Sequence, residues 1–327
     1  MRIFILFGVF ILTFCFSAFA QHDAQYSQYM FNSMVINPGY AGYKEGLNVS
    51  LLHRDQWTGF QGAPKTQSLV IDGAFSADKN VGLGLAIVND KVGLLGQTSA
   101  YLNYAYRLRI GNDDNTRLSF GLAAGIVQYT LNNTEAVIND INDPGFAGGD
   151  QSYLGPDGKF GIYFNNEKMY AGASVTNLMG QTVTYTAGSG TIAKQGRHYF
   201  LTAGYLVNLN ESLKMKPSFL IKEDLKGPTS IDINNFFLIN QSIWLGASYR
   251  TGLNLMKSNQ YSSSILKQNS LVGMLEMYMA KKIRVGYAYD YSLSGIGSYT
   301  NGSHEISLGM ILKTNKKMSA MPTPRYF

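Results

Sequence analysis

The chain has 327 residues, of which 13% are aromatic and 15% charged, with 35 glycines, 22 tyrosines and one cysteine. Charge this sparse is below the quarter usual in globular proteins and suits a surface meeting lipid on one side and water on the other. The formal net charge of +6 comes without a basic cluster, so nucleic acid is not an expected partner.

Residues 1–20 carry Arg2, an apolar run and a small-x-small end at Ala18-Phe19-Ala20, the pattern of a cleaved secretory signal peptide. Cys15 lies inside it, and the large Phe14 before it argues against a lipoprotein site. Cleavage after Ala20 would leave a mature chain without cysteine, which excludes disulfides and thiolate chemistry.

Residues 21–46 form a lead segment that is too short to be a domain but rich in Tyr, Met and Phe that should not stay in water. It is expected to fold back into a barrel mouth as a plug, ending in a turn at Asn37-Pro38-Gly39-Tyr40-Ala41-Gly42. Pro38 fixes φ and extends Asn37, while Gly39 and Gly42 are expected to supply conformations closed to side chains.

From Leu47 the pattern alternates with period two. In 283–291, Ile283, Val285, Tyr287, Tyr289 and Tyr291 share one face, and Arg284, Gly286, Ala288 and Asp290 the other. Segments of this kind, about 14 in all, fill residues 47–313, and a tail follows at 314–327. Short and long connections alternate between them. The expectation is an all-β fold: a transmembrane antiparallel β-barrel with short periplasmic turns, long external loops and both chain ends periplasmic. The polar face should turn inward with Arg54, Asp72, Arg107, Arg109, Lys214, Lys216, Lys222, Arg250, Glu276, Arg284, Asp290 and Glu305.

Catalytic chemistry has little to stand on. His22, His53, His198 and His304 lack partners at metal-ligand spacing, and no Gly-x-Ser-x-Gly elbow occurs. Gly82-x-Gly84 sits within a strand pattern without a following helix, so it is no nucleotide loop. No enzyme activity, cofactor or metal is therefore expected. Protein contact is the chemistry that remains. Candidate partner-binding residues are Arg54, Asp55, Trp57 and Phe60 at the first long connection, and Phe146 and Tyr153 in the acidic 130–157 connection. Glycines around Trp57 and Phe60, with a Gly62-Ala63-Pro64 exit, would present large contact area at small entropic cost.

Several of these blocks resemble the PorP/SprF family, outer-membrane proteins of the type IX secretion system of Bacteroidetes. They are Gln28-Tyr29-Met30 with Asn32, the Asn37 to Gly42 turn, Arg54-Asp55-Gln56-Trp57, and Gly59-Phe60-Gln61-Gly62-Ala63-Pro64. Tyr287-Ala288-Tyr289-Asp290 and Gly302-Ser303-His304-Glu305-Ile306 resemble the family's closing strands. The resemblance implies an outer-membrane location and a role in export or surface anchoring of large adhesins, including those of gliding motility. It implies as partners the secretion components, the cargo's C-terminal domain and outer-membrane lipid. The alternative is a passive transporter of hydrophobic small molecules similar to the FadL family, whose members lack the Arg54 to Pro64 block.

Overall fold

A computed structural model describes residues 24–75, 78–111, 115–135, 150–180, 186–187, 190–191, 196–225, 227–253, 255, 269–279 and 283–312. The expected signal peptide, the C-terminal tail and Phe146 lie outside these residues. Fourteen long strands follow one another: β1 Leu47–Asp55, β2 Lys65–Ala74, β3 Val81–Val92, β4 Leu95–Arg109, β5 Arg117–Leu131, β6 Gln151–Asn165 and β7 Met169–Thr176. The series continues with β8 His198–Tyr205, β9 Leu213–Glu223, β10 Thr229–Ile239, β11 Ile243–Leu253, β12 Ser270–Met279, β13 Ile283–Ser292 and β14 Ser303–Leu312. Each pairs antiparallel with its sequence neighbours. Pairing of β1 with β14, from Leu47↔Leu312 to Asp55↔His304, closes the sheet into a barrel with no free edge at the seam.

Alternation decides which way each side chain points. Leu102, Tyr104, Tyr106 and Leu108 of β4 are exposed on the outer wall, whereas Tyr101, Asn103, Ala105 and Arg107 are buried inside. Leu122 on β5 and Ile306 on β14 continue the outer apolar surface. Strands of 9 to 12 residues, such as β1 and β3, are long enough to cross a membrane when tilted. The fifteen residues of β4, β5 and β6 rise roughly 38 Å at a tilt of about 40°, more than the ~25 Å apolar band requires. These three strands therefore stand proud of the bilayer on the side of the long connections.

Strand β6 corrects the sequence reading. It begins at Gln151, so Tyr153, Pro156 and Asp157 lie on a strand and not in a 130–157 loop. Gly155-Pro156 reads as a breaker, but β6 pairs with β7 only from Phe160 onward. Residues 151–159 pair on one side alone, with β5, and a proline is tolerated on such an edge.

Candidate functional site

The interior is occupied by residues 24–46. Three single-turn 3-10 helices, Tyr29–Phe31, Ser33–Val35 and Pro38–Tyr40, carry the segment along the lumen. Its Tyr26, Tyr29, Met30, Phe31, Met34, Val35, Ile36, Tyr40 and Tyr43 form one buried cluster with inward residues of the wall. The segment runs from one mouth to the other. Ser27 and Gln28 lie beside Glu305 and Arg54, near the long-connection ends of β14 and β1. Gly42 lies against Asp72 and Gly73, near the short-turn end of β2. The first described residues thus sit at the long-connection end of the barrel.

The turn at residues 37–42 docks onto the wall almost backbone to backbone. The Gly39 amide donates to Asn37 Oδ1 at 2.9 Å, and Asn37 Nδ2 donates to the carbonyl of Ile162 at 3.0 Å. Glycines in the wall make this approach possible. A Cβ on Gly82 would overlap the Ala41 carbonyl, one on Gly121 the Gly39 amide, and one on Gly161 the Asn37 side chain. Gly42 has φ +74°, as the sequence suggested. Gly39 sits close to the wall instead: its Cβ would meet Tyr163 N at 3.1 Å and the Gly161 carbonyl at 3.2 Å, a tight fit that a small shift must relieve.

Towards the long-connection end, the wall is ionic. Arg54 donates to Asp290 at 3.1 Å, to Glu305 at 3.3 Å and to Ser27 Oγ at 2.8 Å. Arg250 binds Asp232 through two nitrogens, at 2.9 and 3.2 Å, and reaches Asp290 at 3.1 Å. Lys222 completes the chain at 3.5 Å from Asp232. Pairing on this scale is what makes buried charge tolerable. Nearer the short-turn end, Arg284 pairs with Glu276 at 3.4 Å and donates to the Phe31 carbonyl. Lys216 places its ammonium 4.6 Å from the ring centre of Trp244, with Phe31 and Phe236 nearby.

Alternation found most of these charges but not all. Arg109 keeps the inward phase of β4, opposite Arg117, but is exposed at the strand end, and Lys214 is only half-buried. The sequence reading missed Asp232, Lys159 and Arg117, all buried and inward. Asp232 shares its face with Asn234, Phe236 and Leu238. Those two large apolar neighbours disguise the phase of β10.

The lumen is packed shut. Inward charges at well-separated places on the wall, including Asp72, Lys216, Asp232, Glu276 and Glu305, are at most 1% exposed, which no water-filled pore beside them would allow. Among the described residues, cavities of about 20 and 10 Å³ lie between Tyr26, Val35 and Lys159 and between Lys44 and Arg284. The larger has room for about one water molecule.

The first long connection, residues 56–64, is stapled on both sides. Thr58 N donates to the Gly302 carbonyl at 2.8 Å and Asn301 N returns to the Thr58 carbonyl at 2.8 Å. Trp57, held at φ +51°, donates its amide to Ser303 Oγ, and the Gly93 amide binds the Gly62 carbonyl. On this rigid frame Phe60 is 52% exposed, Trp57 half-buried, and Tyr299 of the adjoining connection 76% exposed. The structure separates the other candidates. Arg54 belongs to the buried ionic wall, while Asp55 is half-buried and pairs with His53 at 3.0 Å and Lys65 at 3.4 Å. Tyr153 is half-buried against Tyr101, Ala123, Val127 and Tyr129. In the acidic connection, the amide and hydroxyl of Thr134 bind Asp150 and hold its carboxyl below the usual range. Asp157 turns inward to the Tyr101 hydroxyl at 2.6 Å. Tyr299 carries no sequence signal of its own beyond lying among serines and glycines.

Comparison with known proteins gives one family and a set of distant folds. A family model described as type IX secretion system membrane protein PorP/SprF matches residues 18–310. No curated protein matches. Among solved structures, the chain is similar to the CymD monoaromatic hydrocarbon channel at 12% identity and TM-score 0.49, over 86% of this chain and 93% of that one. It is similar to Omp33, an outer-membrane protein of Acinetobacter baumannii, at 7% identity and TM-score 0.47, over 83% of this chain and all of that one. The toluene transporter TbuX of Ralstonia pickettii gives 12% identity and TM-score 0.44, over 86% and 93%.

Proposed function

The chain belongs to the PorP/SprF family of type IX secretion system membrane proteins, and from that premise we propose that it assists export or surface anchoring of a large secreted cargo. The cargo class is an adhesin of the gliding-motility type, engaged through its C-terminal domain as it emerges. The observation that carries the reading is the stapled 56–64 connection, which holds Phe60 out of the protein on a frame that cannot collapse. A large aromatic in that state offers contact area at little entropic cost. Trp57 supports it from a half-buried position, and Asp55 adds a charge at the strand end. The packed lumen supports an anchor over a passive channel for hydrophobic molecules, since the closed state leaves no passage of that size beside the buried wall charges.

The experiment is complementation of a null strain with the Trp57→Ala, Phe60→Ala double variant. The barrel should accumulate and stay heat-modifiable on gels, while the adhesin disappears from the cell surface. Normal display by the folded variant would remove the 56–64 connection from the contact.

A further inference from the structure

The two halves of the luminal segment are held by different kinds of contact. Residues 37–42 are docked backbone to backbone in the glycine-lined seat on β3, β5 and β6. Residues 24–36 are held almost wholly through side chains of the wall. Asn234 Nδ2 reaches Tyr29 Oη at 2.6 Å, Asn32 Nδ2 reaches Ser68 Oγ at 3.0 Å, and Lys159 Nζ reaches the Val35 carbonyl at 2.9 Å. Where wall glycines meet this half, at Gly84 and Gly286, they face the mobile ends of Met34 and Gln28, not backbone.

The wall behind residues 24–31 is ionic where a permanent core would be apolar. Its charges pair largely with one another: Arg54 with Asp290, Arg250 with Asp232 and Asp290, Lys222 with Asp232, Arg284 with Glu276. Removing the segment would leave those pairs intact and facing water, at little cost in stranded charge. Arg54, Arg250 and Arg284 each give one further bond to the segment, but Glu305, itself paired with Arg54 at 3.3 Å, is the charge that takes two of its backbone amides. Its two carboxylate oxygens accept the amides of Ser27 at 2.8 Å and Gln28 at 2.7 Å, its carbonyl accepts Gln28 Nε2 at 3.1 Å, and Ser307 Oγ donates to Gln28 Oε1 at 2.7 Å. We propose that residues 24–36 are a displaceable gate hinged at the Asn37 to Gly42 turn and latched at its outer end by Glu305, and that its release opens an ion-lined passage through the barrel. This goes beyond the cargo reading and does not depend on it.

The test is single-channel recording of the purified full-length protein in planar bilayers. Glu305→Gln weakens the latch from the wall, and Ser27→Pro removes from the segment both the amide given to Glu305 and the hydroxyl that accepts from Arg54, with every barrel residue unchanged. Loss of charge-assisted hydrogen bonds of this kind should raise open probability roughly tenfold or more in each. Adding Gln28→Cys and Ser307→Cys, joined by a short reducible thiol crosslinker, should silence those openings until the linker is cleaved. Parent-like open probability in both folded latch variants would overturn the gate. So would openings that persist in the crosslinked protein.

Discussion

Individual residues in this barrel are set by what approaches them from inside. Gly121 faces the Gly39 amide so closely that a methyl group has nowhere to go, whereas Gly273 on the outer wall has nothing within 4 Å of its Cβ position. Gly121→Ala should therefore destabilise the barrel by about 1–3 kcal/mol, the usual cost of overpacking. Gly273→Ala should stay within about 0.5 kcal/mol. Midpoints of the heat-modifiable gel band against temperature measure both, and equal midpoints would mean that the segment does not fill its seat. Trp57 is a second case. Its φ of +51° is costly for a bulky side chain and is held by bonds to Ser303 and Gly302 through its neighbour Thr58. That restraint could not be read from Trp57-Thr58-Gly59, because the partners lie more than 240 positions away.

At the scale of elements, alternation did most of the work, because large apolar side chains on one face and small or charged ones on the other fix both strand and phase. It failed where a strand breaks a local rule for a tertiary reason. Strand β6 carries Pro156 on a stretch with one partner only, and β10 mixes Asp232 with Phe236 and Leu238 on its inner face. The lipid-facing side makes a sharp prediction. Leu122 is 59% exposed on the outer wall of β5, and Leu122→Arg should cost about 2–4 kcal/mol if it lies near the bilayer midplane. Gln128→Arg, on the same face but near the outer strand end, should cost about 0–1 kcal/mol. Unfolding of the two variants in lipid vesicles would show the difference, and equal losses would misplace the membrane. The orientation has its own check. A cysteine at Tyr299 should react with an impermeant thiol reagent on intact cells, and one at Asn166, in the β6–β7 turn, should not. The reverse result would invert the barrel.

The whole molecule is a barrel closed twice, once by β1 on β14 and once by its own leading segment. That the segment would turn inward could be argued from its aromatic and methionine content, since nothing else in the chain could cover it. Its direction could not, because the bonds that set it join residues 27 and 28 to Glu305 across the whole sequence. The same long-range pairing brings the 56–64 connection beside residues 300–303, so the outer platform and the head of the gate share strands β1 and β14. The proposed contact of this platform with the secreted adhesin can be trapped in place. The most direct measurement places a photo-crosslinking amino acid at position 60 in cells displaying the cargo, followed by mass identification of the adduct. The expected result is a covalent product joining position 60 to the C-terminal domain of the adhesin. Full surface display with crosslinks to lipid alone would contradict it.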